Sequence, residues 1–446
     1  MKKKKAIQPK PPMSLVLHPK KAPRPSNAKI LPSLVNIQEP PSSARPKTNN
    51  KRSPRNIRKK PVTKPGNRIS ENDQYKSLPN APLLPSTVLK DHGPLLTERE
   101  RFEIERYHDI YYIRKEPPAP QSQMLYDPDF FPFIKDDHIK YQYQQLDELG
   151  RGAFGCVIKC YDHKHKRTVA VKLVRDKPKL HQQVQLEKEV LEAFMAKSDL
   201  SCQNHIIKIY EIFIYRSFVV FVFEVLSSNL YEALKADKFK GLDMTKVRIV
   251  TGQIASSIKF LHSLGFIHCD IKPENMLWTN PRHLAIKLID FGCCCHANHT
   301  LFTYIQSRFY RAPEVILGLE YGLPIDIWSI GCVIYELITG RPLFGGENEN
   351  EQMSLYISVL GPPPDSLLKK ATRKEHFFEP NNKPINKPNS KGRIHLPSSR
   401  PLKALLKTND ELLINFLEGC LRWIPEERYT AELLTQHPWL KKAPRK

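Results

Sequence analysis

Between Phe266 and Gly292 the chain reads F-I-H-C-D-I-K-P-E-N-M-L and, a short hairpin later, I-K-L-I-D-F-G. Two acids, a lysine and an amide thus fall on two neighbouring loops. Asp270 can orient a hydroxyl group and accept its proton. Lys272, two residues on in an extended loop, lies on the same side and can offset charge on a transferred group. Asn275 and Asp290 present hard oxygens, the ligands that Mg²⁺ prefers. Such a set suits the transfer of a phosphoryl group, where positioning and electrostatics carry most of the catalysis.

These loops need a phosphate cradle. L-G-R-G-A-F-G-C-V, Leu149 to Val157, places Gly150, Gly152 and Gly155 among Arg151, Ala153, Phe154 and Cys156. Glycines let backbone amides approach phosphates closely. The pattern alone also fits dinucleotide folds, but there the loop should open a helix. Here Cys156–Tyr161 and Thr168–Leu173 read as strands, so the loop is a hairpin. In V-A-V-K-L the period of two puts Ala170 and Lys172 on one face. That face can floor a purine pocket and reach phosphates at one end, although Lys172 could also be an ordinary surface lysine.

The helix expected over residues 181–197 carries an apolar stripe of Val184, Leu191 and Phe194, with Glu187 inside it. A carboxylate on a buried face needs a cation, and Lys172 is the natural candidate. Glu189 and Glu192 fall on the solvated side. V-V-F-V-F from Val219 reads as a buried strand. It ends in Glu224-Val225-Leu226, a connection able to offer backbone groups to adenine, with Phe223 at the back of the pocket. Residues 247–261 form an amphipathic helix that Gly265 should end. His268 reads as a hydrogen-bonded scaffold residue. Residues 326–339 are apolar nearly all round, a buried helix whose Asp326 could cap it or hold the catalytic loop. Residues 361–401 are a loop-rich insert of Lys, Pro and Asn, and Arg428 is a plausible partner for Glu314.

The spacing H-x-D-x-K-x-x-N, followed by D-F-G, matches the protein-kinase signature. Cys269 stands where Arg is usual, and Arg there commonly pairs with a phosphate on the segment after D-F-G. Another basic site must then read such a phosphate. Arg308 and Arg311, four and seven residues beyond Tyr304, could clamp a phosphotyrosine bidentately. Salt bridges to acidic neighbours are the alternative for both.

H-C-D-I-K-P-E-N together with T-Y-I-Q-S-R-F-Y-R-A-P-E-V-I-L-G resembles the dual-specificity tyrosine-regulated kinase (DYRK) family of the CMGC group. D-D-H-I-K-Y-Q-Y, Asp136 to Tyr143, is similar to that family's box preceding the kinase domain. L-T-E-R-E-R-F-E-I-E-R-Y with Tyr126-Asp127 resembles the accessory segment of its class II members, which supports a single intramolecular tyrosine autophosphorylation. The resemblance implies that Tyr304 is the autophosphorylated residue. It also implies Ser/Thr kinase activity on other proteins, favouring Pro after the target and Arg before it, with Glu274 helping to read that arginine. Two departures stand out. Phe302 replaces the first tyrosine of the usual Y-x-Y, and Cys293-Cys294-Cys295 replaces Ser-Ser-Cys.

The expected fold is α+β and bilobal, with a β-rich small lobe and a helical large lobe. ATP lies between them, held at its phosphates by Lys172, with Mg²⁺ on Asp290 and Asn275. The expected divisions are a disordered basic arm over 1–93, an accessory segment over 94–135 and the box over 136–143. The small lobe covers 144–225, the large lobe 226–440 and a basic tail 441–446. The chain has 446 residues, 39 prolines and a formal net charge of +24. Much of that charge sits in M-K-K-K-K and in K-R-S-P-R-N-I-R-K-K from Lys51. Such runs suit a solvated arm, but also acidic partners, nucleic acid or an import receptor. Nine cysteines without C-x-x-C pairs fit a reducing compartment. The expectation is a monomeric catalytic domain in the cytoplasm, with nuclear entry left open, acting on protein substrates. No run is long enough to span a bilayer. Two rivals stay open: a kinase-like scaffold, disfavoured because no expected catalytic side chain is missing, and a nucleic-acid-binding protein, which rests on the basic arm alone.

Overall fold

A computed structural model describes Tyr75 and residues 78–117, 130–152, 155–175, 177–178, 180–197, 205–280, 284–300 and 303–441. Tyr126, Asp127, Ala153, Phe154, Phe302 and both basic runs lie outside the described residues.

Six strands form the small lobe's sheet: β1 (His138–Ile139), β2 (Tyr143–Gly152), β3 (Gly155–Asp162), β4 (Arg167–Arg175), β5 (Ile209–Tyr215) and β6 (Phe218–Glu224). Their order is β1-β2-β3-β4-β6-β5, with every neighbouring pair antiparallel. The strand period of two sorts their side chains. Val169, Val171 and Leu173 of β4 join Val220 and Val222 of β6 in one core on the outer face. Ala170, Val174, Phe221 and Phe223 point the other way, into the core shared with the helices. This explains why β6 is apolar at consecutive positions, since both of its faces are covered. Gly155 is required by packing, because a Cβ there would sit 2.0 Å from the Leu173 carbonyl oxygen.

Order begins earlier than the composition suggests. The disordered arm expected through Gly93 is corrected by helix α1, Pro85–His92. Pro85 opens α1, and an antiparallel bridge joins Leu83 to Ile110 through hydrogen bonds of 2.9 and 3.0 Å. Val88 then packs with Leu96, Ile104, Ile110, Ile113 and Tyr141. A Pro- and Lys-rich neighbourhood hides this short apolar set from a compositional reading.

Helix α2 (Glu98–Glu103) opens with a complete capping box between Thr97 and Glu100. Glu100 is also the centre of a buried ion network. Arg114 donates to both Glu100 oxygens at 2.6 Å and to Asp137 at 2.6 and 3.0 Å. His138 meets Glu100 at 3.1 Å and Arg216 meets it at 3.3 Å. Burial alone would raise the Glu100 carboxyl, but His138 and Arg114 hold it well below the ordinary carboxylate range. The cluster of Glu100, Asp137 and His138 has metal-ligand spacing, yet the Arg114 guanidinium supplies its counter-charge. The network thereby ties the accessory segment to the sheet through β1.

Helix α3 (His181–Ala196) covers the sheet's inner face with Val184, Val190, Leu191 and Phe194. The large lobe follows as α4 (Leu230–Ala236), α5 (Met244–Ser263), α6 (Pro313–Leu317), α7 (Pro324–Thr339), α8 (Glu349–Leu360), α9 (Asp365–Lys370), α10 (Leu402–Leu406), α11 (Glu411–Cys420), α12 (Ala431–Gln436) and α13 (Pro438–Lys441). Helix α7 is buried from Ile325 to Leu337, as its unbroken apolar sequence requires. Two small ribbons carry the chemistry-bearing loops: β7 (Phe266–Ile267) pairs with β10 (Cys295–His296), and β8 (Met276–Trp278) with β9 (Ile286–Leu288). Among the described residues no helix is long and apolar enough to cross a membrane.

Candidate active site

Antiparallel pairing brings the two loops together. Met276 lies opposite Leu288, so the residues before β8 and after β9 end side by side. The Ile289 N–H donates to the Asn275 carbonyl at 2.9 Å. Asp326, at the start of α7, accepts the backbone N–H groups of His268 at 2.8 Å and Cys269 at 3.1 Å. His262 shares the same carboxylate at 2.9 Å. His268 spans the loops, its Nδ1 taking the Asp270 N–H at 3.2 Å and its Nε2 meeting the Ile289 carbonyl at 3.2 Å. Cys269 and Asp290 both sit at positive φ, 64° and 62°. Non-glycine residues held there cost energy that the surrounding bonds must offset, a pattern common at functional sites.

Within this frame Asp270 is doubly held. Lys272 Nζ lies 2.6 Å from its Oδ2, and Ser307 Oγ donates to its Oδ1 at 2.8 Å. Asn275 Nδ2 donates to the Asp270 carbonyl at 2.9 Å, which leaves the amide oxygen of Asn275 as an acceptor. Across the cleft Lys172 meets Glu187 at 2.5 Å and Asp290 at 3.4 Å. Burial opposes the Lys172 charge, but these two carboxylates hold the ammonium protonated well above its ordinary range. Asp290 is held below its ordinary range against burial by Lys172, Lys272 and His268. Gln183 of α3 donates to the Gly292 carbonyl at 2.6 Å, so the helix carrying Glu187 also touches the D-F-G turn.

The nucleotide side is mixed. Ala170 pairs with Phe223 across β4 and β6, and Val157 pairs with Lys172 across β3 and β4. A Cβ on Gly150 or Gly152 would meet nothing within 4 Å, so the loop's backbone is open to a close ligand. That open backbone, the Lys172 ammonium and the oxygens of Asp290 and Asn275 fit a metal-bound triphosphate. Leu149 is exposed, and Arg151 pairs with Glu148 at 2.9 Å. Two of the expected nucleotide-side residues turn their side chains away, which leaves the backbone roles expected of them untouched. Cys156 points to the sheet's outer face, its thiol 3.6 Å from the Phe131 carbonyl, because it alternates with Val157. The Glu224 carboxylate turns to Lys287 at 2.5 Å and the Lys208 N–H at 2.6 Å, and its own N–H serves Lys208. Val225 and Leu226 continue the connection after β6, both half-buried.

The structure brings one of the two clamp arginines to Tyr304. The Arg311 guanidinium lies 4.1 Å from the ring centroid of Tyr304, which is itself exposed. Arg311 also bonds the Ile305 and Gln306 carbonyls and Glu349. Arg308 turns instead to the Gly346 and Glu347 carbonyls, at 3.3 and 2.7 Å. Glu314 and Arg428 form a buried bidentate pair at 2.6 and 2.7 Å beneath the segment.

Sequence reasoning passed over Ser307 and Glu336. Glu336 lies in the buried α7 and accepts the Tyr310 hydroxyl at 2.7 Å. Burial pushes its carboxyl up to about 7, with Glu274 adding to the rise. Glu274 is raised by burial too, and one of its oxygens is buried with no hydrogen-bond partner among the described residues. The two acids adjoin, and neither has an ion-pair partner among the described residues. The signal was present: a carboxylate at position 336 in a helix apolar nearly all round.

Residues 143–440 match the protein kinase domain. The chain is 39% identical over 356 residues to serine/threonine-protein kinase ppk5 of Schizosaccharomyces pombe, covering 77% of this chain and 42% of that one. It is 38% identical over 366 residues to dual specificity tyrosine-phosphorylation-regulated kinase 4 of Homo sapiens, covering 80% of this chain and 70% of the relative. Kinase 3 of the same series from Macaca fascicularis is 37% identical over 404 residues, covering 84% and 71%. The chain therefore spans less than half of the yeast relative and about seven tenths of the two others. With the kinase domain matched over residues 143–440 and identities of 37–39% across about four fifths of the chain, the chain belongs to the dual-specificity tyrosine-phosphorylation-regulated kinase family of protein kinases.

Proposed function

We propose that this chain transfers the γ-phosphoryl group of ATP to Ser or Thr hydroxyls of protein substrates and, once during maturation, to its own Tyr304. The observation that carries this reading is the Asp270 carboxylate held between Lys272 and Ser307, facing the Lys172–Glu187–Asp290 group. Asp270 orients the substrate hydroxyl and accepts its proton as the oxygen bonds to phosphorus and ADP leaves. Lys272 offsets charge on the phosphoryl oxygens in flight. Lys172, oriented by Glu187, holds the α- and β-phosphates. Asp290 and Asn275 would hold Mg²⁺, which when bound neutralises phosphate charge.

Two features support the substrate preference. Gln306 sits at φ 63°, and its carbonyl accepts Arg311 at 2.8 and 3.3 Å. A residue following the target, seated there, would find that acceptor taken. Proline has no N–H to leave unsatisfied, which favours it by about 1–3 kcal/mol. Glu274 and Glu336 supply the acids for an arginine preceding the target. The phosphotyrosine of Tyr304 would be read by Arg311, with Arg308 joining after release from its two carbonyl partners. Cytoplasmic residence, with entry to the nucleus open, remains our expectation from the cysteine pattern and the basic runs.

The test uses peptides bearing R-x-x-S-P, with Ala replacing the Pro or the Arg in two controls. Wild type should phosphorylate the parent peptide at least tenfold better than either control and carry phosphotyrosine at Tyr304. Asp270→Asn should do neither. Phosphate incorporation by Asp270→Asn at the wild-type rate would sink the assignment.

A further inference from the structure

From Pro380 to Asn409 the chain carries Lys383, Lys387, Lys391, Arg393, Arg400, Lys403 and Lys407 and no acidic residue. Its centre is a strap, residues 389–396, pinned to the large lobe from one side. Asn389 and His395 bond Glu351 at 2.7 and 3.2 Å, and Ser390 bonds Glu347 at 2.5 and 3.1 Å. Because His395 points inward, Ile394 and Leu396 point outward, 53% and 60% exposed. Residues 393–396 belong to no helix or strand, and their exposure alternates along the chain. The N–H groups of Ile394, His395 and Leu396 make no hydrogen bond within the described residues. Beside them opens a cavity of about 650 Å³ whose lining includes Lys391, Arg393 and Arg400, none of which has a carboxylate partner among the described residues, and Glu347 and Glu351, whose carboxylates are engaged by Ser390, Asn389 and His395.

Free backbone donors, two aliphatic side chains at a spacing of two, and cations without carboxylate partners define a complementary ligand. Backbone pairing supplies affinity in such additions and alternate side chains supply specificity. We propose that the strap docks an acidic, extended segment of a protein substrate that presents two aliphatic side chains two residues apart. Charge disfavours this chain's own basic arm and a second copy of a +24 chain as occupants. Nucleic acid is disfavoured because the exposed pair is aliphatic and offers no ring for bases to stack on. The strap also leads toward the activation segment, since Glu347 both holds Ser390 and accepts Arg308 through its carbonyl. The inference rests on the kinase reading only in naming a substrate as the partner.

The probe is a fluorescein-labelled heptapeptide, E-D-I-E-L-D-E, titrated into the full chain and followed by anisotropy. Wild type should bind it, and both the Ile394→Ser/Leu396→Ser and the Lys391→Glu/Arg393→Glu variants should lose about tenfold in affinity, a sum of modest apolar and ion-pair contributions. Fusing the heptapeptide to the R-x-x-S-P peptide should lower KM by a similar factor in wild type alone, while the short peptide is turned over equally by all three proteins. Asp270→Asn should still bind the heptapeptide, which separates docking from catalysis. Equal affinity in wild type and both variants would overturn the site, as would displacement of the heptapeptide by an oligo-dT strand. Strap-dependent affinity without any change in KM would overturn the substrate assignment.

Discussion

Glu336 offers the sharpest single test of the proposed arginine preference, because that proposal ties substrate choice to the pH and stability effects of one buried carboxyl. The carboxyl is buried in α7, accepts Tyr310, and is raised from 4.5 to about 7 chiefly by burial. Rising pH ionises it, so its attraction for a substrate arginine appears between pH 6 and 8. About a tenth of it is charged at pH 6 and about nine tenths at pH 8 for a group of that pKa. A charge-assisted hydrogen bond is worth about 1.5–3 kcal/mol, so Glu336→Gln should cut kcat/KM for the arginine peptide by about 10- to 150-fold at pH 8. The loss should shrink severalfold at pH 6 and nearly vanish for the peptide in which Ala replaces Arg. Stability should move the other way. A carboxyl raised on folding is most stabilising below its ordinary pKa, and that contribution is lost as pH rises through the folded value. Between pH 5.5 and 8 wild type should therefore lose about 2 kcal/mol relative to Glu336→Gln, since a glutamine carbonyl can still accept Tyr310. Peptide kinetics and urea unfolding at the two pH values measure both effects. A variant that loses activity equally on both peptides, or that is less stable than wild type at pH 8, would refute the reasoning.

Three further outcomes follow from other contacts. Lys172→Met should lower kcat/KM by at least about 10²-fold, with the far-ultraviolet circular dichroism unchanged, because it removes a charge positioned for the phosphates. Arg428→Ala strands Glu314 in a site where both side chains are essentially inaccessible, and should cost about 3–5 kcal/mol in chemical unfolding. Glu100→Ala removes the α2 capping box and the hub of the Arg114, His138 and Arg216 network. It should reduce phosphotyrosine at Tyr304 in freshly synthesised protein more than it reduces the rate of enzyme already modified; equal loss of both would separate the accessory segment from maturation.

Much of this protein was legible in its sequence, wherever function rests on local chemistry. A loop that must carry Asp, Lys and Asn at fixed offsets, or a strand whose alternate residues face a nucleotide, announces itself through spacing. The charge on the Glu187 face demanded a cation, and the capping box at Thr97 is written in four residues. What tertiary structure alone decided concerns partners distant in the chain. Helix α1 packs on Ile110 and Tyr141, contacts that the Pro- and Lys-rich composition around it does not reveal. Cys156 leaves the cleft because the sheet's register assigns it to the outer face. Arg308 turns one guanidinium nitrogen to two carbonyls that no spacing rule could name, and Glu336 meets Glu274 only because α7 passes beneath the catalytic loop. Periodicity and motif spacing report which face a residue takes within its own element. Which other element lies against that face is set by packing of the whole chain, and there a buried carboxylate becomes either half of a salt bridge or a waiting subsite.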